Sequence, residues 1–296
     1  MDLDKQVRLA AFDWLSKQVE KFGDVLNGDL LARGFKFKDS RVPLVSPQGI
    51  FKPKQLDLPL TITTTPKGPY EDSIDKNDFL HYKYRGTDPM HRDNVGLRKC
   101  MVDDIPLIYF HGIVPGKYLA VWPVYIVGDN TQDLTFKVAA DNQHEIEYDD
   151  NKVEEGDIYR RAYITSTVKQ RLHQRGFRER VISAYRSQCA FCSLKHEELL
   201  DAVHIVPDEE EGKPTVDNGM ALCKIHHTAF DRYILGVTPD FKIKVRNDIL
   251  EEHDGPMLKH GLQELHNRKL ILPKSKKLWP NQEYLDWRFK RFQTAS

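Results

Sequence analysis

The sequence predicts an α+β protein in two parts. The first is a compact, curved or barrel-like β domain with flanking helices, and the second is a small α+β unit rich in metal-ligand side chains. Three observations point there. Between Phe35 and about Asn142, short apolar or alternating runs are separated by Pro and Gly, as strands and turns are. Before and after that stretch, apolar residues recur at helical spacing. Between Cys189 and Asp231, Cys, His and Asp fall in pairs at regular short intervals.

Taken in order, residues 4–22 read as an amphipathic helix whose apolar face is Val7, Ala11, Trp14, Leu15 and Val19. Five runs then read as strands: residues 58–64, 79–84, 106–110, 118–127 and 134–139. Pro123 has no N–H for a sheet ladder and so marks an edge or a bulge. Residues 142–156 are acidic and turn-rich and read as a linker. Residues 165–186 read as a helix or helix pair with Val168, Leu172, Phe177, Val181, Ile182 and Tyr185 inward. Its outer side carries Lys169, Arg171, Arg175, Arg178 and Arg180, opposed only by Glu179. Such a face is either simply solvated or binds phosphates. The aromatics Trp279, Tyr284, Trp287, Phe289 and Phe292 read as a C-terminal helix packed on the core. The expected division is 1–150 for the β domain, 151–180 for linker and basic helix, 181–250 for the ligand-rich unit and 251–296 for an extension packed on it.

The 44 basic and 44 acidic residues cancel to a net charge of +0, so any polyanion site must come from local clustering. No run is long enough to cross a membrane, and Met1-Asp2-Leu3-Asp4-Lys5 lacks the regions of a signal peptide. Three of the four cysteines belong to the ligand pattern, which fits a reducing cytoplasm better than disulfides. Cys100 is left over and reads as a small buried residue.

Cys189-x-x-Cys192 and Cys223-x-x-His226 have the spacing of a closed tetrahedral zinc site. A second set remains: Asp201, His204, Asn218, His227 and Asp231. These oxygen and imidazole groups suit an open Mg²⁺ or Mn²⁺ site beside a general base. His204 is the candidate base, because a neutral imidazole accepts a proton near pH 7. His227 and Asp231 are four apart and share one helix face. With Asp201 they form the candidate ligand set for the catalytic ion. Asp201 lies three residues before His204, which on a regular strand puts the two on opposite faces. Asn218 suits orienting the hairpin through its amide. A plain zinc ribbon would account for the first set and leave the second unexplained.

This constellation resembles the His-Asn-His (ββα-metal) endonucleases, including McrA-type enzymes, with His204, Asn218 and His227 at the three positions and Cys223-x-x-His226 as the second knuckle. The family position before the base is often His or Asp; here it is Val203, which leaves Asp201 as the acidic ligand. The resemblance covers roughly residues 180–245 and implies metal-dependent hydrolysis of a phosphodiester.

In the β domain, Gly68-Pro69-Tyr70-Glu71-Asp72-Ser73, then Tyr84-Arg85-Gly86, then Asn94-x-x-Leu97 resemble the SRA (YDG) domain, a PUA-like curved barrel. That resemblance implies double-stranded DNA with a modified cytosine, most simply 5-methylcytosine, as partner, and a base flipped out of the stack. Tyr70 with Tyr84 or Tyr82 would sandwich the ring, and Asp72 would accept from the exocyclic amine. The family's second acidic residue in that run falls on Ser73. EVE and ASCH domains share this barrel class. The whole is expected to be a modification-dependent DNA endonuclease, cutting both strands as a homodimer or by two nicks. The rival readings are a nuclease whose β domain senses something else, and a non-catalytic reader of modified DNA.

Overall fold

A computed structural model describes residues 2–66, 79–142, 155–253 and 255–295, with side chains of the third segment described from Arg160 onward. The expected linker at 142–156 lies almost wholly outside the described residues. The chain divides into two compact units, Met1–Leu172 and His173–Ser296. Among the described residues no helix is long and apolar enough to cross a membrane.

The first unit runs α1 (Leu3–Phe22), β1 (Val25–Asn27), α2 (Gly28–Arg33), β2 (Phe35–Phe37), β3 (Ser40–Val42), β4 (Ile50–Phe51), β5 (Thr61–Thr64), β6 (Leu80–Lys83), α3 (Arg92–Val102), β7 (Leu107–Val114), β8 (Lys117–Asn130) and β9 (Thr135–Ala140). All five predicted strand runs form strands, β5 to β9. They build a curled half-barrel sheet in the order β4-β5-β7-β8-β9-β6, with β1 added on β8. Only β5 and β7 pair in parallel; the other ladders are antiparallel.

Strand parity decides which face each residue covers. On β7, Ile108 and Phe110 pack with Val7, Ala11 and Leu15 of α1, while Leu107 and Tyr109 turn into the barrel. On β8, Leu119 and Val121 face the barrel, and so do Val124 and Ile126. The odd-to-even change falls across Trp122-Pro123, where the β7–β8 register shifts. Pro123 therefore sits at a bulge in a central strand and not at an edge; the extra residue absorbs the missing N–H. Arg8 is 1% exposed and donates to Pro59 O (2.8 Å) and Pro106 O (3.1 Å), so α1 is fastened to the strand ends with its charge met by Asp4.

The long helix α4 (Glu155–Ala184) begins in the first unit and ends in the second. Its first part is held by Arg161, whose guanidinium bonds Asp141 (2.8 Å) and Asp104 (2.9 and 3.0 Å) and lies 3.8 Å over the Tyr125 ring. Burial pushes the Asp141 carboxyl up, but the hydrogen bonds from Arg160 and Arg161 outweigh it and hold the group below the usual carboxylate range. An Asp141→Asn variant should lower the stability of this unit by about 3 kcal/mol, because it leaves a buried guanidinium short of charge. A lowered pKa stabilises the fold above the unfolded value of about 3.9, and that gain is lost as pH falls through the folded value. The difference in urea midpoint between wild type and variant should therefore shrink below about pH 4; a constant difference would reject the assignment.

The basic face expected on α4 is only partly a free surface. Lys169 is buried, Arg178 bonds Glu179 and the carbonyls of Glu197 and Leu200, and Arg180 donates to Pro214 O; Arg171 and Arg175 are exposed. Arginine guanidinium groups that satisfy carbonyls are structural ties, and helical spacing alone does not reveal those carbonyls.

The second unit continues with β10 (Leu200–His204), β11 (Gly219–Cys223), α5 (Lys224–Asp231), β12 (Leu235–Val237), β13 (Ile243–Val245), α6 (Asn247–Glu251), α7 (Pro256–Gly261) and α8 (Gln282–Thr294). Its core joins Phe177, Val181, Ile182 and Tyr185 of α4 to the β10–β11 hairpin, Phe230 of α5 and Leu285 of α8.

Candidate active site

The β10–β11 hairpin pairs without a slip from Leu200↔Cys223 to His204↔Gly219, and α5 starts directly after Cys223. This ββα unit presents both ligand sets. Cys189, Cys192, Cys223 and His226 place their ligand atoms within 4.8 Å of one another. The His226 Nδ1 lies 3.4 Å from Cys189 Sγ and 3.2 Å from Cys223 Sγ. Ligand bonds of about 2.3 Å to sulfur and 2.0–2.1 Å to nitrogen on a tetrahedron imply an S···N separation of about 3.6 Å, so the set fits zinc. The other ring nitrogen, Nε2, bonds Gly261 O at 2.8 Å, which fixes the tautomer with Nδ1 toward the sulfurs. Burial pushes His226 down, yet Cys189, Cys223 and the Gly261 carbonyl lift it to about 10.

Asn218 is fully buried. Its Oδ1 accepts from Val206 N (2.9 Å), and its Nδ2 donates to Val206 O and Lys213 O (both 2.9 Å). The amide is saturated and pins the loop that follows His204. His204 ends β10 and stacks flat on Phe177, with centroids 3.9 Å apart and an interplanar angle of 4°. Gly219 sits opposite; a Cβ there would come within 2.5 Å of Val181 and 2.9 Å of Phe177, so glycine is what lets α4 press against the ring. Among the described residues His204 Nε2 has no hydrogen bond, although Asp208 Oδ1 is 3.4 Å away. Burial pushes the imidazole below its ordinary value, against the opposing charge of Asp208, so it is neutral at pH 7.

On the other face of the strand, Asp201 Oδ2 is 3.0 Å from His227 Nδ1, and its Oδ1 bonds Lys224 Nζ at 2.7 Å. His227 Nε2 is 3.0 Å from Asp231 Oδ2. Asp201, His227 and Asp231 are thus brought together as a chain through one imidazole, not around one point. The cysteine set is the only group of three or more ligand atoms close enough to share an ion among the described residues. A ring nitrogen whose proton is donated to a carboxylate cannot also bind metal, so the two aspartates cannot act alike. His204 bonds none of these three groups among the described residues; its neighbours are Phe177 and Asp208.

In the first unit, a cavity of about 180 Å³ opens between Gln48, Thr63, Thr64, Tyr82, Lys83 and Arg85. Tyr82 lines it, with its hydroxyl toward Thr63 O at 3.4 Å. Tyr84 is only 2% exposed. Phe136 stacks on its ring at 4.6 Å, Arg98 lies 5.8 Å over it, and its hydroxyl bonds Asp129 and Arg98. Tyr84 lines the same cavity as Tyr82, with its ring held by Phe136 and its hydroxyl by Asp129 and Arg98. Tyr70 and Asp72 lie outside the described residues. Asn94 is fully buried and bonds Arg85 N (2.8 Å), Arg85 O (3.2 Å) and Asp88 O (2.8 Å), shaping the turn beside the cavity. A larger groove of about 750 Å³ shares Pro47, Gln48 and Ile50 with the cavity and adds Lys52, Lys54 and Arg92.

The family described as HNH endonuclease matches residues 189–238, the span that holds both ligand sets. The second unit carries an HNH endonuclease domain. The chain is accordingly an HNH-type DNA endonuclease, a phosphodiester hydrolase. No curated protein matches it in sequence. Solved structures similar to it include two restriction endonucleases. One is the modification-dependent TagI restriction endonuclease, 16% identical over 79% of this chain and 81% of that one, with a TM-score of 0.29. The other is the Type IV phosphorothioation-dependent restriction endonuclease ScoMcrA, 12% identical over 99% of this chain and 67% of that one, with a TM-score of 0.30.

Several residues of the HNH domain's site escape sequence inspection. Phe177, the Gly261 carbonyl and Arg288 reach it from 27 or more positions away, and no short-range pattern joins them to it. Asp208 was visible, four residues after His204, but reads as one of an acidic run.

Proposed function

We propose that this chain is a modification-dependent restriction endonuclease: its first unit holds a modified cytosine of double-stranded DNA and its HNH domain cuts the backbone. The observation that carries the reading is the segregation of roles in the ββα unit. Among the described residues His204 Nε2 is buried at the end of β10 without a hydrogen bond, Asn218 locks the loop that follows it, and His227 of α5 lies between the carboxylates of Asp201 and Asp231.

His204 takes the proton from the attacking water. Asp201 accepts from His227 Nδ1 and turns Nε2 toward Asp231, the carboxylate–histidine arrangement that presents a nitrogen to a metal. His227 Nε2 and Asp231 then hold Mg²⁺ or Mn²⁺, with Asp201 as the orienting carboxylate and no longer an equal ligand. A divalent ion there would supply positive charge for the phosphate and the leaving 3′-oxygen. Cys189, Cys192, Cys223 and His226 hold the structural zinc.

For the first unit we keep the SRA-like, PUA-like reading. The cavity beside Tyr82 has room for a pyrimidine ring, with Tyr70 as the opposing ring and Asp72 as the acceptor for the exocyclic amine. The adjoining groove offers Lys52, Lys54 and Arg92 to the flanking phosphates. One HNH site cuts one strand, so a double-strand break requires a homodimer or two successive nicks.

The test is digestion of matched plasmids carrying cytosine, 5-methylcytosine or 5-hydroxymethylcytosine, with Mg²⁺ or Mn²⁺. Cleavage confined to modified plasmids is expected, and Asp72→Ala should abolish the preference. Equal cutting of all three would reject modified-base recognition and leave the nuclease, its β domain then serving another ligand. Binding without cutting would reject catalysis.

A further inference from the structure

The geometry points to Arg288, on the C-terminal helix outside the matched segment, as a positioning residue that aims Asp231 at the catalytic ion. The inference rests on the reading of His227 and Asp231 as ion ligands. Arg288 is 5% exposed. Its guanidinium lies 4.5 Å over the Phe230 ring and 4.6 Å over the Tyr233 ring. Nη2 donates to Phe230 O at 3.1 Å and lies 3.4 Å from Asp231 Oδ1, while Nε meets no hydrogen-bond partner among the described residues. An arginine is expensive to bury, and one with an unmet donor is poorly explained by stability alone.

Its placement has a specific consequence. The two oxygens of Asp231 are divided: Oδ2 goes to His227 Nε2 and Oδ1 to Arg288. Asp231 is half exposed, and without the second contact its carboxylate is free to turn into solvent. Two aromatic faces hold the guanidinium flat, so its own position is fixed by packing. The same group meets a last-turn carbonyl of α5, where a cation also complements the helix dipole. Arg288 therefore fixes both the end of α5 and the oxygen that ends it. The positive charge opposes cation binding, so aim and repulsion pull the ion affinity in opposite directions. We assign the larger effect to aim, because the charge sits on the oxygen turned away from His227.

The experiment measures Mn²⁺ binding to the zinc-loaded full chain without DNA, by calorimetry and by the Mn²⁺ paramagnetic resonance signal. Arg288→Met should weaken binding about 10-fold, the usual effect of losing a group that orients a ligand. In an Asp231→Asn background, already weakened, Arg288→Met should add nothing. Phe292→Leu, which loosens the same helix where it packs on Gly236, should lower the melting temperature and leave Mn²⁺ affinity unchanged. Three results would overturn the role: unchanged or tighter Mn²⁺ binding in Arg288→Met, additive losses in the double variant, or an equal affinity loss in Phe292→Leu. If Asp231→Asn itself leaves Mn²⁺ binding intact, the ion-site reading fails and this inference falls with it.

Discussion

Replacing His204 with alanine lowers the rate of strand cleavage by about 10²–10⁴-fold, the range spanned by positioned general bases. Zinc content and DNA affinity stay at wild-type levels. The expectation follows from where the ring sits. It ends β10, is partly exposed, stacks on Phe177 beside Asp208, and among the described residues makes no hydrogen bond to a residue assigned to either ion. Truncation removes one flat stack, a loss of about 1 kcal/mol, and leaves the Asn218 lock untouched. Acid should reproduce the defect in wild type. Burial holds the His204 pKa below the ordinary 6.5, with Asp208 opposing, so the neutral form persists at pH 7 and is lost as pH falls through the lowered value. The acid limb of kcat/KM should therefore lie below about pH 6.5, and the residual activity of His204→Ala should lack it. Full activity in the alanine variant, measured by single-turnover nicking, would remove His204 from the mechanism.

What the sequence reveals here depends on the range of the interaction. The barrel strands were legible because period-2 alternation is local, and the same parity correctly separates Asp201 from His204 across an unslipped hairpin. Pro123 marked an irregularity, but whether a strand is central or at an edge depends on its neighbours, and β8 turned out to lie between β7 and β9. The basic stripe on α4 looked like open surface because helical spacing cannot foresee the carbonyls of Glu197, Leu200 and Pro214 arriving beside Arg178 and Arg180. Tyr82 and Tyr84 lie two residues apart and both line the cavity, but the packing of Phe136 and Arg98 on the Tyr84 ring comes from distant segments and has no local sequence signal. Asp201 joined the right histidine, yet its attachment to Nδ1, with Asp231 on Nε2, is a matter of rotamers. Local pattern names the groups; tertiary packing assigns their roles.

Replacing Cys189 with serine should unfold the second unit and leave the first intact. Cys189 is completely buried, its N–H bonds Leu194 O, and its carbonyl accepts from Ser193 N, so the knuckle is a tight turn around the sulfur. The other ligands are spread over what that turn must reach: Cys223 closes β11, and His226 lies on α5. One ion thus joins the segment before the hairpin to the helix after it, and the Gly261 bond to His226 extends the tie to α7. The free energy of a structural zinc, about 10–16 kcal/mol in small domains, is as large as the whole stability of a typical unit of this size. Serine binds zinc poorly, and the remaining cysteines would leave thiol groups crowded in a buried site with no ion to satisfy them. Atomic absorption should find one zinc per wild-type chain and none in the variant, and calorimetry should show one melting transition lost and one retained. A zinc-selective chelator should do the same to wild type in the presence of excess Mg²⁺, with recovery on adding Zn²⁺ only. His226→Cys should retain zinc and fold, since four thiolates also close a tetrahedral site. A Cys189→Ser protein that melts like wild type and cleaves DNA without zinc would show that the hydrophobic core of Val181, Tyr185, Leu222 and Phe230 holds this unit together unaided.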